Sequence, residues 1–231
     1  MLELYYFSRR RFALPLSPDQ ILALLDDQER ERYARFLRDE PRELFSLARW
    51  LCKTRLALHL GCAPQSLRFD YTESGKPYLA NQPQPLQFSI AHTESAVLVA
   101  ISTNAVGVDV EMMDRRGDPW REAESFLNPV AAEHIALAGN EDERKRAFAR
   151  YWTAMEALVK LEGTGLFRWK DRIGFEQPVL QPGAWQNYHG QLLLCGETEC
   201  GEAWCVASAK APQSLVLRSW AGQGFSAVDT F

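Results

Sequence analysis

No stretch of this 231-residue chain is apolar for long enough to cross a bilayer; runs such as 96–101 fall far short of the roughly 20 residues a spanning helix needs. The order of a secretory leader is missing as well, because a Tyr-rich apolar segment precedes Arg9-Arg10-Arg11 instead of following a basic region. A cytoplasmic location with no membrane attachment is therefore expected. Cysteine is scarce, five residues at no metal-like spacing. Cys195, Cys200 and Cys205 recur at every fifth position, which suits buried thiols on a strand pair. An excess of basic residues is also lacking: the net charge is −4, and this argues against a general nucleic-acid binder. Disorder is excluded by an apolar fraction of 46% and by Trp, Tyr and Phe spread along the chain.

What charge there is lies unevenly. Arg30, Arg32, Arg35, Arg38, Arg42, Arg49, Lys53 and Arg55 crowd one region, opposed there by Glu31, Asp39, Glu40 and Glu43. A local positive surplus in an acidic chain points to an anionic ligand or partner, or else to a solvated helix face of mixed charge.

Ser17-Pro18-Asp19-Gln20 reads as a helix start, with Ser17 as N-cap. A helical stripe from Leu44 through Ala48, Leu51 and Leu56 to Leu60 predicts a long helix over about 41–60, ended by Gly61. Short β-like pieces follow at 67–71, 77–79, 86–91, 96–102 and 106–111. The second half runs in the same order. Asn128-Pro129 opens one helix, and Phe148, Trp152, Met155, Leu158 and Val159 stripe a longer one over about 141–161. Further β-like segments come at 172–175, 188–195, 203–209 and 214–220, and 221–231 reads as a weakly anchored tail. The expected fold is α+β in two pseudo-symmetric halves, 1–105 and 106–220, each a long helix packed on a small, mainly antiparallel sheet.

Four motifs carry chemistry. In Gly107-Val108-Asp109-Val110-Glu111, alternation puts Asp109 and Glu111 on one strand face and the valines on the other. Two adjacent carboxylates suit a divalent cation with oxygen ligands, although such pairs also simply face water. On the long second helix Trp152, Glu156 and Lys160 lie at i, i+4 and i+8 and share a face; the plain alternative is a surface ion pair. Phe88-Ser89-Ile90-Ala91-His92-Thr93 ends a strand in a histidine, either a structural residue or a donor to an anion. Gly75-Lys76-Pro77 is a turn allowing close backbone approach beside a positive charge, a tripeptide that also occurs by chance.

In order and spacing these motifs together resemble the Sfp-type 4′-phosphopantetheinyl transferases. That family is marked by a G-K-P turn, an F-N-I-S-H-S-like strand, a G-I/V-D-I/V-E strand and a W-x-x-K-E-x-x-x-K helix. The likeness covers about residues 31–165. It implies transfer of the 4′-phosphopantetheine arm of coenzyme A to a serine of an apo acyl or peptidyl carrier protein, leaving 3′,5′-ADP. It further implies that Asp109, Glu111 and Glu156 hold Mg²⁺, or Mn²⁺, against the pyrophosphate of coenzyme A. Lys160 would contact that pyrophosphate, and Glu156 would take the serine proton. His92, with Ser89 nearby, would meet the 3′-phosphate region, and Gly75, Lys76 and Pro77 would lie along the adenine and ribose. Arg32 matches a phosphate-binding base, and Arg49 and Lys53 follow at family-like spacing. A monomer with its site between the halves is implied, with coenzyme A and the carrier as partners.

This chain departs from the pattern at two places. Met155 stands where the family has a lysine before the metal-binding glutamate, and Ser89 and Ala91 replace the usual Asn and Ser. A relative that binds without transferring, or a metal-dependent phosphohydrolase, are the competing expectations.

Overall fold

The computed structural model describes residues 1–80, 86–114, 117–165 and 182–230. Its strands are β1 (Leu2–Ser8), β2 (Phe69–Tyr71), β3 (Pro77–Leu79), β4 (Gln87–His92), β5 (Ala96–Ser102), β6 (Val106–Met112), β7 (Gln186–Tyr188), β8 (Gln191–Glu197), β9 (Glu202–Ser208), β10 (Leu215–Trp220) and β11 (Phe225–Thr230). Its helices are α1 (Pro18–Leu24), α2 (Asp27–Arg35), α3 (Asp39–Leu60), α4 (Pro119–Phe126), α5 (Pro129–Ala136) and α6 (Glu141–Glu162).

Four layers result: α3, a first sheet ordered β11-β10-β1-β5-β4, a second sheet ordered β6-β9-β8-β7, and α6. Side-chain alternation dictates the stacking. On β5, Val97, Val99 and Ile101 face α3, whereas Ala96, Leu98 and Ala100 face the second sheet. On β6, Val106, Val108 and Val110 pack against the first sheet. The opposite face of β6, which carries Gly107, Asp109 and Glu111, is thereby turned toward α6. Gly107 makes the approach possible: a Cβ there would meet Ala157 O at 2.0 Å and Leu161 N at 2.3 Å.

The two long helices form as their stripes predict, and Gly61 and Gly163 end them in the left-handed region at φ 64° and 67°. Ser17 and Gln20 complete a capping box on α1, and Asn128 caps α5. The mixed α+β class and the mainly antiparallel pairing agree with expectation; the exception is β1, which runs parallel to β10.

Several local expectations need correction. The N-terminal Tyr-rich segment is a central strand, bonded on both sides and buried on both faces, so it lacks the alternation that betrays a strand. The chain at 188–195 is not one strand, because His189 (φ 47°) and Gly190 (φ 83°) turn it into the β7–β8 hairpin. The tail is anchored: β11 pairs with β10, and Phe225 meets Tyr5 edge-on at 5.5 Å and Trp220 at 5.1 Å. Helices α2 and α4 add to the expected set. The segment expected at 172–175 lies outside the described residues.

Gly107→Ala should therefore cost about 3 kcal/mol or more, because backbone rather than a flexible side chain must give way. Denaturant unfolding of the variant against the parent chain checks this.

Candidate functional site

At the junction of the two sheets, β4 and β6 lie side by side without a ladder between them. Ser89 bridges them, its buried hydroxyl accepting the Val108 N–H at 3.1 Å. The turn between β2 and β3 reaches over the same junction. Lys76 Nζ donates to Val106 O at 3.2 Å and to Leu161 O at 3.3 Å, and Ser74 Oγ donates to Gly163 O at 2.5 Å. The Gly-Lys-Pro turn is thus fastened to the C-terminus of α6, where carbonyls lack helical partners. Burial lowers the Lys76 pKa. A 290 Å³ cavity results, lined by Gly75, Lys76, Pro77, Ser89, Glu156 and Lys160 among others. Larger hollows of 490 and 710 Å³ lie elsewhere, and neither is lined by a residue of the four motifs.

Beside the cavity, Asp109 points from β6 toward α6. Lys160 Nζ donates to Asp109 Oδ1 at 2.6 Å, while the buried Oδ2 has no hydrogen-bond partner. Burial raises the Asp109 pKa and Lys160 works against that rise. For Glu156, burial raises the pKa first, Lys160 lowers it, and the charge of Asp109 raises it again. Asp109 and Glu156 therefore act on each other, with one ammonium serving both. Glu111 is half-buried on the same face of β6. Among the described residues no three acidic, His or Cys side chains form a ready cation cage.

His92 ends β4. Its pKa is lowered first by desolvation in the cleft, then by the charges of Lys160, Arg32 and Arg49. His92 is exposed at the end of the strand. Three cations from α2, α3 and α6 thus converge on one imidazole, an arrangement suited to an anion.

The basic region needs a more discriminating reading than its count of charges gave. Arg30 pairs with Asp27, Arg35 with Glu31, Arg42 with Asp39, and both Arg49 and Lys53 with Glu29. Asp27 and Glu29 immediately precede the basic stretch, so its positive surplus is smaller than the charges within it suggest. Lys53 is fully buried and does not face the cleft as a free cation. Arg49 Nη2 donates to Tyr71 Oη at 2.8 Å and its guanidinium lies over Phe45 and Phe69. Arg32 is exposed over Phe45, and among the described residues no carboxylate pairs with it.

Met155 is only 3% exposed, within the core that α4, α5 and α6 share. It replaces a family lysine with a packing residue, and the surrounding apolar groups would strand an ammonium there. Trp152 stacks on Phe148 at 5.4 Å and meets Phe126 edge-on at 5.6 Å, so the expected Trp-Glu-Lys face divides into a packed end and a cleft end.

Comparison with known proteins supplies independent findings. A family profile described as the 4′-phosphopantetheinyl transferase superfamily matches residues 105–218, and one described as 4′-phosphopantetheinyl transferase, N-terminal, matches 17–104. The 4′-phosphopantetheinyl transferase HetI of a Nostoc species is 33% identical over 150 residues, 63% of this chain and 62% of that protein. An L-aminoadipate-semialdehyde dehydrogenase-phosphopantetheinyl transferase of Eremothecium gossypii is 35% identical over 115 residues, 48% of this chain and 41% of its own. A 4′-phosphopantetheinyl transferase of Bacillus subtilis is 26% identical over 148 residues, 64% of each. Each match thus spans less than two thirds of the relative.

Two outcomes are expected. Met155→Lys should lower stability by about 2 kcal/mol or more, read by thermal unfolding, because a lysine is placed in an apolar core. The His92 imidazole should titrate below its usual value of about 6.5 and shift upward when inorganic pyrophosphate is added, as followed by NMR.

Proposed function

This chain belongs to the 4′-phosphopantetheinyl transferase superfamily, and on that premise we propose that it moves the phosphopantetheine arm of coenzyme A onto a serine of an apo acyl or peptidyl carrier protein. One observation supports this reading above others: the Asp109 and Glu156 carboxylates share the charge of Lys160, and Lys160, Arg32 and Arg49 all act on His92. A nucleotide with both a pyrophosphate and a separate phosphate has use for both sets.

The donor set fits a hard divalent cation. The ligands on offer are carboxylate oxygens, and the buried Oδ2 of Asp109 is without a hydrogen-bond donor. Asp109 and Glu156, joined by Glu111, would hold Mg²⁺ or Mn²⁺, which supplies neutralisation of pyrophosphate charge when bound. Lys160 is shared between Asp109 and the incoming pyrophosphate. Arg32, Arg49 and His92 receive the 3′-phosphate, while Gly75, Lys76 and Pro77 border the adenine and ribose.

In the transfer, the carrier serine Oγ forms a bond to the β-phosphorus and the bond to the bridging oxygen breaks. 3′,5′-ADP leaves. Glu156 takes the serine proton, a role suited to a carboxylate whose proton affinity burial has raised. Because β4 and β6 of one chain border the cleft, a monomer suffices.

Mass spectrometry of an apo-carrier incubated with coenzyme A and Mg²⁺ should show the phosphopantetheine gain. Asp109→Asn should cut the rate by at least about 10²-fold with unfolding unchanged. No gain with any of several carriers would favour a binding relative, and pantetheine phosphate released without an acceptor would favour a hydrolase.

A further inference from the structure

We propose that Glu29 docks α2 onto α3 and so positions both Arg32 and Arg49 at the cleft; this deepens the reading of those arginines as phosphate contacts and rests on it. Helix α2 reads Asp-Gln-Glu-Arg-Glu-Arg-Tyr-Ala-Arg, has no apolar stripe, and buries a carboxylate instead: Glu29, 3% exposed. Its Oε2 accepts from Lys53 Nζ at 2.5 Å and from the Asp26 N–H at 3.0 Å, and Oε1 lies 2.9 Å from Arg49 Nε. Lys53, wholly buried, also donates to Leu24 O at 3.2 Å. One acid from α2 therefore meets two buried cations from α3, with Asp26 a more distant partner of Lys53 at 3.9 Å.

Both arginines depend on this contact. Arg49 forms an ion pair with Glu29, Nε to Oε1 2.9 Å without hydrogen-bond alignment, while its Nη2 donates to Tyr71 and its guanidinium lies over the rings of Phe45 and Phe69. Arg32 lies three residues beyond Glu29 on the same helix and stacks on Phe45. A carboxylate near a phosphate site opposes the anion through space, so charge and geometry predict opposite effects of its removal. Geometry dominates, because the charge of Glu29 is already matched by Lys53, whereas its loss undocks one arginine and unpins the other.

The test compares Glu29→Gln and the charge-balanced Glu29→Gln/Lys53→Met with the parent chain. Hydrogen exchange at α2 amides, calorimetric binding of 3′,5′-ADP, and KM and kcat for coenzyme A are read. The double variant should unfold near the parent temperature, lose protection across α2, and bind 3′,5′-ADP about tenfold or more weakly. KM should rise with kcat changed less than about threefold. A folded double variant with α2 still protected, or with affinity within about twofold of the parent, overturns the proposal. If the parent chain binds no 3′,5′-ADP, the coenzyme A reading fails, and α2 exchange alone decides the role of Glu29.

Discussion

The contact between Asp109 on β6 and Lys160 on α6 organises the cleft, and it exists because α6 can lie directly on the strand at Gly107. A carboxylate only 6% exposed would be costly unpaired. The ammonium satisfies one of its oxygens and leaves the other without a hydrogen-bond partner. The layer order follows from the valines of β6: by facing the first sheet, they commit the acidic face to the helix. Position and charge are thus set by the same alternation that builds the core.

Around that pair, the site is assembled at the junction of the two sheets. Ser89 ties β4 to β6, and Lys76 ties the β2–β3 turn to both β6 and the end of α6. These residues were expected beside a nucleotide, and they also have structural tasks. The side chain of Lys76 is committed to two carbonyls, which places the turn rather than lending it a free charge. A residue that shapes a wall and a residue that touches a ligand are not exclusive roles here.

Much of this was legible before any coordinates. The striped helices follow from periodicity, the Gly61 stop and strands β3, β5 and β6 from short β-prone runs between turn residues, and the shared face of Asp109 and Glu111 from pleating. What stayed hidden had physical reasons. β1 is apolar on both sides and shows no period of two. α2 is attached through a carboxylate, so hydrophobic pattern says nothing of it, although Asp26 and Glu29 do spell a capping box. β11 is held by a ladder and one aromatic, too little to stand out. Among the site residues, charge counting marked the basic region but could not tell Lys53, neutralised inside the fold, from Arg32 at its surface.

The parallel pairing of β1 with β10 joins Leu2 to Leu215 in register, across nearly the whole chain. The central strand of the first sheet must therefore wait for a partner far along the chain, while β5 is available as its neighbour much earlier. Such distant pairing raises contact order and slows folding. During synthesis one edge of β1 stays open until β10 emerges, and an unpaired apolar edge of that kind is open to mispairing in the interval.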